Sequence, residues 1–405
     1  MFVDIPTDII YYLSWFLPFK DLIRFLRSSS HLYKRLYNNE DFWKSKCGLI
    51  TKTKDQIWIN VYVSIQINAA LFLFGDNRYG QLGNSHGYST RPIKFPNFKF
   101  KDIAISHHTI AVDFDNTVWG WGSSKHGQLG ISVNKDHVEP FRLGLKALQI
   151  SVNYKNTGII DMDNNVWLYG DSSCGRLGIR NTYNKFQFPK LKAKRISVGY
   201  EHIVILDLNN NVWTCGNNKN GQLGLDKSQW YSDLEIIPAI KAKQISAGGY
   251  HTVIIDLNDN VWTCGWNNNG QLGVGDTKDR NFPIEIGIKA KCISAGIIHT
   301  GIIDMDDSVW VCGHGEYGKL GLGRDVTFVK VLTRIPNLKA KQLALGNNST
   351  LIIDLDNNVL MCGYGTGQLG LGMRENKLLP NKIPNTKAVK IAVGGDNSTA
   401  LISLI

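Results

Sequence analysis

The chain has 405 residues, 43% of them hydrophobic and 10% aromatic, with a formal net charge of +11. That composition suits a globular core and excludes a disordered or collagen-like chain; the length allows several domains or one large repeat array. No apolar run approaches the roughly 18 residues that a membrane-spanning helix needs, and the opening "MFVDIPTDII" carries acids where a secretory signal carries bases, so the expectation is an intracellular protein, cytoplasmic or nuclear.

Residues 1–68 read as helical. After Ile5 and Pro6, Thr7 is placed to cap a helix whose apolar positions Ile9, Leu13, Phe16 and Leu17 share one face. Pro18 ends that helix, "DLIRFLRS" follows with Leu22, Phe25 and Leu26 apolar, and a third segment, "HLYKRLYN", precedes "DFWKSKC". This text resembles an F-box, through Ile5 and Pro6 at the start, Leu17 and Pro18 at the bend, Asp21 and Leu22 after it, and Trp43 near the end. It departs from the family where Ile5 replaces the usual Leu and where "SSSHLYK" replaces a Cys-Arg-x-Trp phrase. The resemblance implies that residues 1–48 dock on the Skp-type adaptor of a cullin ubiquitin ligase, with Pro6, Leu17, Pro18 and Leu22 at the interface and Trp43 anchoring the module's own fold. A module of this size has little core of its own, which suits one that lays an apolar face on a partner. The alternative is a helical cap on the rest of the chain. Residues 49–68 are expected to be a linker.

From residue 69 one phrase recurs: "GDNRYGQLG", "GSSKHGQLG", "GDSSCGRLG", "GNNKNGQLG", "GWNNNGQLG", "GHGEYGKLG" and a shortened "GYGTGQLG". Its closing glycines, Gly83, Gly130, Gly178, Gly224, Gly273, Gly321 and Gly370, stand 46–49 residues apart, which makes the unit a structural repeat. Read alone, Gly313–Gly321 imitates a phosphate-binding loop. Leu320 follows its Lys where such a loop needs Ser or Thr for the metal ion, and the other copies argue for a backbone device.

Within a repeat, "KQIS", "TVIID", the turn "LNDN" and "VWTCG" predict short antiparallel strands, with a further strand after the Gly/Asn loop. Four strands per repeat is the size of a propeller blade. The first phrase lacks an upstream half, and "KAVKIAVGGDNSTALISLI" supplies one without a phrase. The pattern therefore predicts that the two ends share a closing sheet.

The repeat, clearest in "AGGYHTVIIDLNDNVWTCGWNNNGQLG", resembles the regulator-of-chromosome-condensation repeat. The resemblance implies an all-β seven-bladed β-propeller over residues 69–405, its closing blade shared by 69–83 and 387–405, behind the small helical module. Light sensing, found in a plant branch of this family, goes with a Gly-Trp-Arg-His-Thr phrase; here the text is "GYEHI", "GGYHT" and "GIIHT", so photoreception is not expected.

Trp119, Trp167, Trp213, Trp262 and Trp310 precede the phrase in successive repeats and are expected to pack between blades. His108, His202, His251 and His299 recur too far apart to share one metal ion and are expected to be hydrogen-bonded structural groups. Cys215, Cys264, Cys312 and Cys362, four of an odd seven cysteines, recur as small strand residues, which points to a reducing compartment. "DMDNN" at Asp161 begins like a calcium loop but has Val166 and Ser172 where Gly and Glu belong, so a turn is expected. Lys194, Lys243, Lys291 and Lys341 recur before the first strand and predict a basic rim on one face, either a surface for an acidic partner or solvated edge lysines.

These readings call for no cofactor, metal or catalytic residue. The expected function is a non-catalytic adaptor that recruits an unidentified substrate protein to a ligase. Two rivals remain open: nucleotide exchange on a Ran-like small GTPase, as some members of the propeller family perform, and a scaffold propeller outside the ligase pathway. Nucleic acid ranks below a protein as the partner.

Overall fold

The computed structural model describes residues 69–404, apart from 85–86, 132–134, 173–176, 178–185, 227–231, 324–325, 366 and 396–397. The helical module at 1–48, the linker at 49–68 and the adaptor residues Pro6, Leu17, Pro18 and Leu22 lie outside the described residues.

Each repeat is built on a hairpin of two buried strands. In the repeat around Gly248, His251–Asp256 pairs antiparallel with Asn260–Gly265, with Ile254 opposite Trp262. The strands are short because "LNDN" between them turns the chain, and Asp259 takes a left-handed φ of 72°, a conformation that Asn and Asp tolerate. Asn116, Asn164, Asn210, Asp307 and Asn357 do the same in the equivalent turns.

The segments between hairpins are long single strands where short ones were expected. Ser232–Ala247 pairs first with Asn211–Gly216, Lys241 lying opposite Asn211, and then from Ala242 onward with His251–Asp256. One strand is thus the outer edge of one sheet and the inner strand of the next. Arg280–Ala295 and Phe328–Leu345 repeat the arrangement. A single positive-φ residue marks the corner of each: Ala239, Gly287 and Asn337. Pro238 and Pro336 directly precede two of these corners, and the pairing with the preceding hairpin shifts register there, Ile236 lying opposite Trp213 and Lys241 opposite Asn211.

The two ends of the described chain meet in one sheet of order Ser89–Lys94, Ala69–Gly75, Ser398–Leu404, Lys390–Val393. Ala69–Gly75 pairs with Ser398–Leu404 along its whole length, Phe72 opposite Leu401. This joins the first strand to the last and covers both their edges. The architecture is an all-β propeller.

The core lies between sheets. Val253, Ile255 and Val261 pack with Ile293 and Ile302 of the next repeat, and Trp310 covers that cluster from the edge. A cluster of Val204, Leu206 and Val212 reaches Ile245 and Ile254 in the same way, with Trp262 against it.

Candidate functional site

The recurring phrase is a double turn. In "GWNNNGQLG", Gly270 N–H donates to Asn267 O over 2.8 Å and Gly273 N–H to Gly270 O over 3.0 Å. Gln271 Oε1 accepts from Asn269 N–H, Asn267 Oδ1 accepts from Leu272 N–H, and Leu272 is wholly buried. Gly270 and Gly273 have φ of 75° and 72°, which is why glycine stands there. Lys319 takes the place of this Gln in the copy that imitates a phosphate loop. Its side chain is fully buried, with Nζ donating to Asn347 O and Asn348 Oδ1 over 3.2 and 3.0 Å. Burial pushes its ammonium down to about 8, against the opposite pull of Glu316. The lysine braces the next repeat and does not face a phosphate site.

The histidines join repeats. His108, His202, His251 and His299 place Nε2 2.6, 2.9, 2.9 and 3.1 Å from the hydroxyls of Thr157, Thr252, Thr300 and Thr350. Each threonine hydroxyl in turn lies 2.6–2.7 Å from a phrase carbonyl of the preceding repeat, at Gln128, Gln222, Gln271 and Lys319. A hydroxyl that spends its proton on a carbonyl must accept from the imidazole, so Nε2 carries the hydrogen. Nδ1 lies beneath a glycine: a Cβ on Gly248 would come within 2.6 Å of His251 Nδ1. Complete burial lowers His108 and His202 to about 3 and His251 to about 4, so these rings are neutral. Asn156, Ser349 and Ser398 fill the position in other repeats.

At the other end of the same strands a second network repeats. Asp256 Oδ1 accepts from the backbone N–H of Asn258 and Asn260, and Oδ2 accepts from Asn260 Nδ2 and Trp262 Nε1. Trp119, Trp167, Trp213 and Trp310 bond in the same way to Asp113, Asp161, Asp207 and Asp304, over 2.7–2.9 Å. The tryptophans are half-buried, packing on the preceding cluster with the indole edge turned to the turn carboxylate. Burial alone would raise the Asp161, Asp207, Asp256 and Asp304 carboxyls, but the donated hydrogen bonds, led by the indole, hold them below the usual range.

The lysines sit on this turn rim and reach the turns themselves. Lys194 and Lys341 donate to Asn210 Oδ1 and Asn357 Oδ1, while Lys243 and Lys291 pair with Asp259 and Asp307. Lys192, Lys241 and Lys339 reach the neighbouring turn atoms at Asn165, Asn211 and Ser308. Much of the cationic charge gathered on this rim therefore meets turn amides and carboxylates of the same rim.

Cys264, Cys312 and Cys362 are fully buried, and burial raises each thiol to about 12. Among the described residues, no group of three or more His, Cys, Asp or Glu is arranged to hold a metal ion, and no helix is long and apolar enough to cross a membrane.

The threonine relay, the aspartate anchors and the lysine stitches all recur at fixed repeat positions, so their text was visible, but which groups meet across a blade boundary was not. An aromatic arc was missed altogether. Tyr79, His107, Tyr154, Tyr200, Tyr250 and Trp266 touch in sequence, with centroid spacings of 4.5, 3.7, 5.6, 5.7 and 5.8 Å. Tyr154 and Tyr200 stand two residues before the histidine position, and His107 and Tyr250 one before, so no regular spacing betrays the contact.

A closed all-β ring of 46–49-residue units with this glycine phrase defines a class of repeat propeller. The RCC1-like domain family matches residues 62–400, and the chain belongs to it. It is similar to the Arabidopsis thaliana ultraviolet-B receptor UVR8 at 29% identity over 104 residues, a match that spans 24% of either chain. The fold is similar to yeast RCC1 (Prp20) bound to Kap60, at 20% identity and a TM-score of 0.75, covering 83% of this chain and 89% of that one. Human WBSCR16 gives 18% identity and a TM-score of 0.75, covering 83% and 98%. Prp20p from Saccharomyces cerevisiae, described with its binding to Gsp1p and histones, gives 21% and 0.74, covering 83% and 91%.

Proposed function

We infer that this chain is a substrate-recruiting adaptor of a cullin-type ubiquitin ligase, with a seven-bladed propeller as its protein-binding platform and the ligase chemistry on partner subunits. Residues 1–48 take the Skp-type adaptor through Pro6, Leu17, Pro18 and Leu22, residues 49–68 link, and 69–405 form the propeller, with 69–83 and 387–405 sharing the closing blade.

One observation carries the non-catalytic half of this reading. The repeated His, Asp and Cys groups are committed to the scaffold: neutral histidines bonded to the next repeat, carboxylates bonded to their own turns, thiols raised by burial. Among the described residues these networks leave no nucleophile–base–orienter constellation, which supports a reading in which the surface and its loops carry function. The F-box text supplies the other half. The test is co-purification of a Skp-type adaptor with the intact chain, beside a Leu17→Ala, Pro18→Ala variant. Binding that the variant loses supports the assignment; no binding by a folded intact chain reduces residues 1–68 to a cap.

The similarity to Prp20p, described as binding Gsp1p and histones, favours a second reading, nucleotide exchange on a Ran-like GTPase. The constant repeat length of 46–49 residues leaves little room for an inserted element that would pry open a nucleotide site. A nucleotide-release assay separates the two.

A further inference from the structure

The aromatic arc lies at the mouth of the central cavity, on the edge of the sheets opposite the lysine rim. Four of the six rings closely follow a cavity-lining residue in sequence, His107 after Ser106, Tyr154 after Asn153, Tyr200 two residues after Val198 and Tyr250 after Gly249, while Tyr79 and Trp266 extend the arc at its ends from the phrase loops. The phrase loops around the arc carry Arg78, Lys125 and Lys219, and Lys155 follows Tyr154. Arg78 and Lys125 both lie over the ring of Tyr79, at 5.7 and 5.3 Å from its centroid.

Charge is layered here. Arg78, Lys125 and Lys155 pair with Asp76, Asp136 and Asp171, yet the cation of each pair is the more exposed partner, 59%, 57% and 28% against 0%, 28% and 5%. The carboxylates lie beneath and the cations face out. Glu201 is held by Asn217. His107 reports the resulting field: burial first, then Arg78, His126 and Lys155, hold it down to about 4 against the pull of Asp76.

We propose that this arc binds single-stranded nucleic acid, with bases stacking on the partly exposed rings of Tyr79, Tyr154, Tyr200, Tyr250 and Trp266, phosphates meeting the outward cations, and the buried His107 serving as the link between Tyr79 and Tyr154. The two needs of such a ligand, sequence-tolerant π-faces and a cationic track beside them, occur together here. On the lysine rim the half-buried tryptophans give their indole N–H to turn carboxylates, and Lys194, Lys243, Lys291 and Lys341 are bound to the same turns. Duplex DNA has its bases stacked internally and offers no face to the rings. An acidic peptide would use the cations alone.

The test is fluorescence anisotropy of short labelled oligo-dT and oligo-U with the intact chain, a Tyr154→Ala, Tyr200→Ala variant and a Tyr154→Phe, Tyr200→Phe variant. Circular dichroism and thermal melting establish that each is folded. The proposal expects binding that weakens with salt, falls roughly ten-fold or more in the alanine variant and is kept in the phenylalanine variant, because stacking is worth most per base. Absence of binding by the folded intact chain, equal binding by the folded alanine variant, or equal competition by duplex DNA or polyglutamate would overturn it.

Discussion

His251 Nε2 lies 2.9 Å from the hydroxyl oxygen of Thr300, one repeat further on, and that hydroxyl donates over 2.7 Å to the backbone carbonyl of Gln271. A single side chain thus ties its sheet to both the hairpin and the phrase loop of the preceding repeat. Replacing Thr300 by Val keeps the shape and leaves the imidazole N–H and the Gln271 carbonyl without this partner. The Gln271 carbonyl keeps the weak Cys312 Sγ–H contact at 3.5 Å, but the imidazole N–H is orphaned. An orphaned buried group costs about 1–3 kcal/mol, so a clear drop in urea midpoint is expected. Thr300→Ser, which keeps the hydroxyl, is expected to recover most of it.

Stability should fall on mild acidification. The ordinary histidine value is 6.5, and burial holds His108 and His202 at about 3 and His251 at about 4 in the folded chain. Below 6.5 the unfolded chain therefore binds more protons than the folded one. The contribution is complete above 6.5 and is lost progressively as pH falls toward 4 and then 3. Asp161, Asp207, Asp256 and Asp304, held below their usual range, act in the same direction at lower pH. Urea midpoints measured across this range should decline with pH, and less steeply in His251→Asn, a residue already used at the equivalent Asn156.

Gly248→Ala should be poorly tolerated although no helix or turn is involved. Its Cβ would come within 2.4 Å of His251 Cε1 and 2.6 Å of Gly296 O. The backbone of the next repeat cannot yield as a flexible side chain would. A loss of about 1–3 kcal/mol, typical of overpacking, is expected. Gly87→Ala, where nothing lies within 4 Å, is the control and should melt with the wild type.

Asp256→Ala should cost more than Trp262→Leu. The carboxylate satisfies four donors, two backbone and two side-chain, whereas the indole spends one hydrogen bond on it. The repeat ending at Gly363 already carries Leu360 in the tryptophan position, and Asp354 keeps its bonds to Asp356, Asn358 and the Asn358 amide there. Thermal melting of the two variants side by side checks the order.

The propeller was legible because its local signals agree. Alternation in the strands, Asp/Asn turns and glycines at left-handed positions all point to one hairpin, and repetition multiplies the signal. What the text concealed is lateral. The continuity of Ser232–Ala247 through Ala239 depends on pairing with two different hairpins. The tryptophans were expected to pack between blades; they also present Nε1 to a turn carboxylate six residues back, a contact set by the hairpin's curl. Lys194 and Lys243 looked like free rim charges, and only the fold brings Asn210 and Asp259 beneath their amines.

The central claim concerns what the intact chain assembles with. The most direct measurement is gel filtration of the intact chain with a purified Skp-type adaptor, with release of labelled nucleotide from a Ran-like GTPase followed on the same preparation. The account predicts a stoichiometric complex and no acceleration of release. Separate elution together with accelerated release would contradict it.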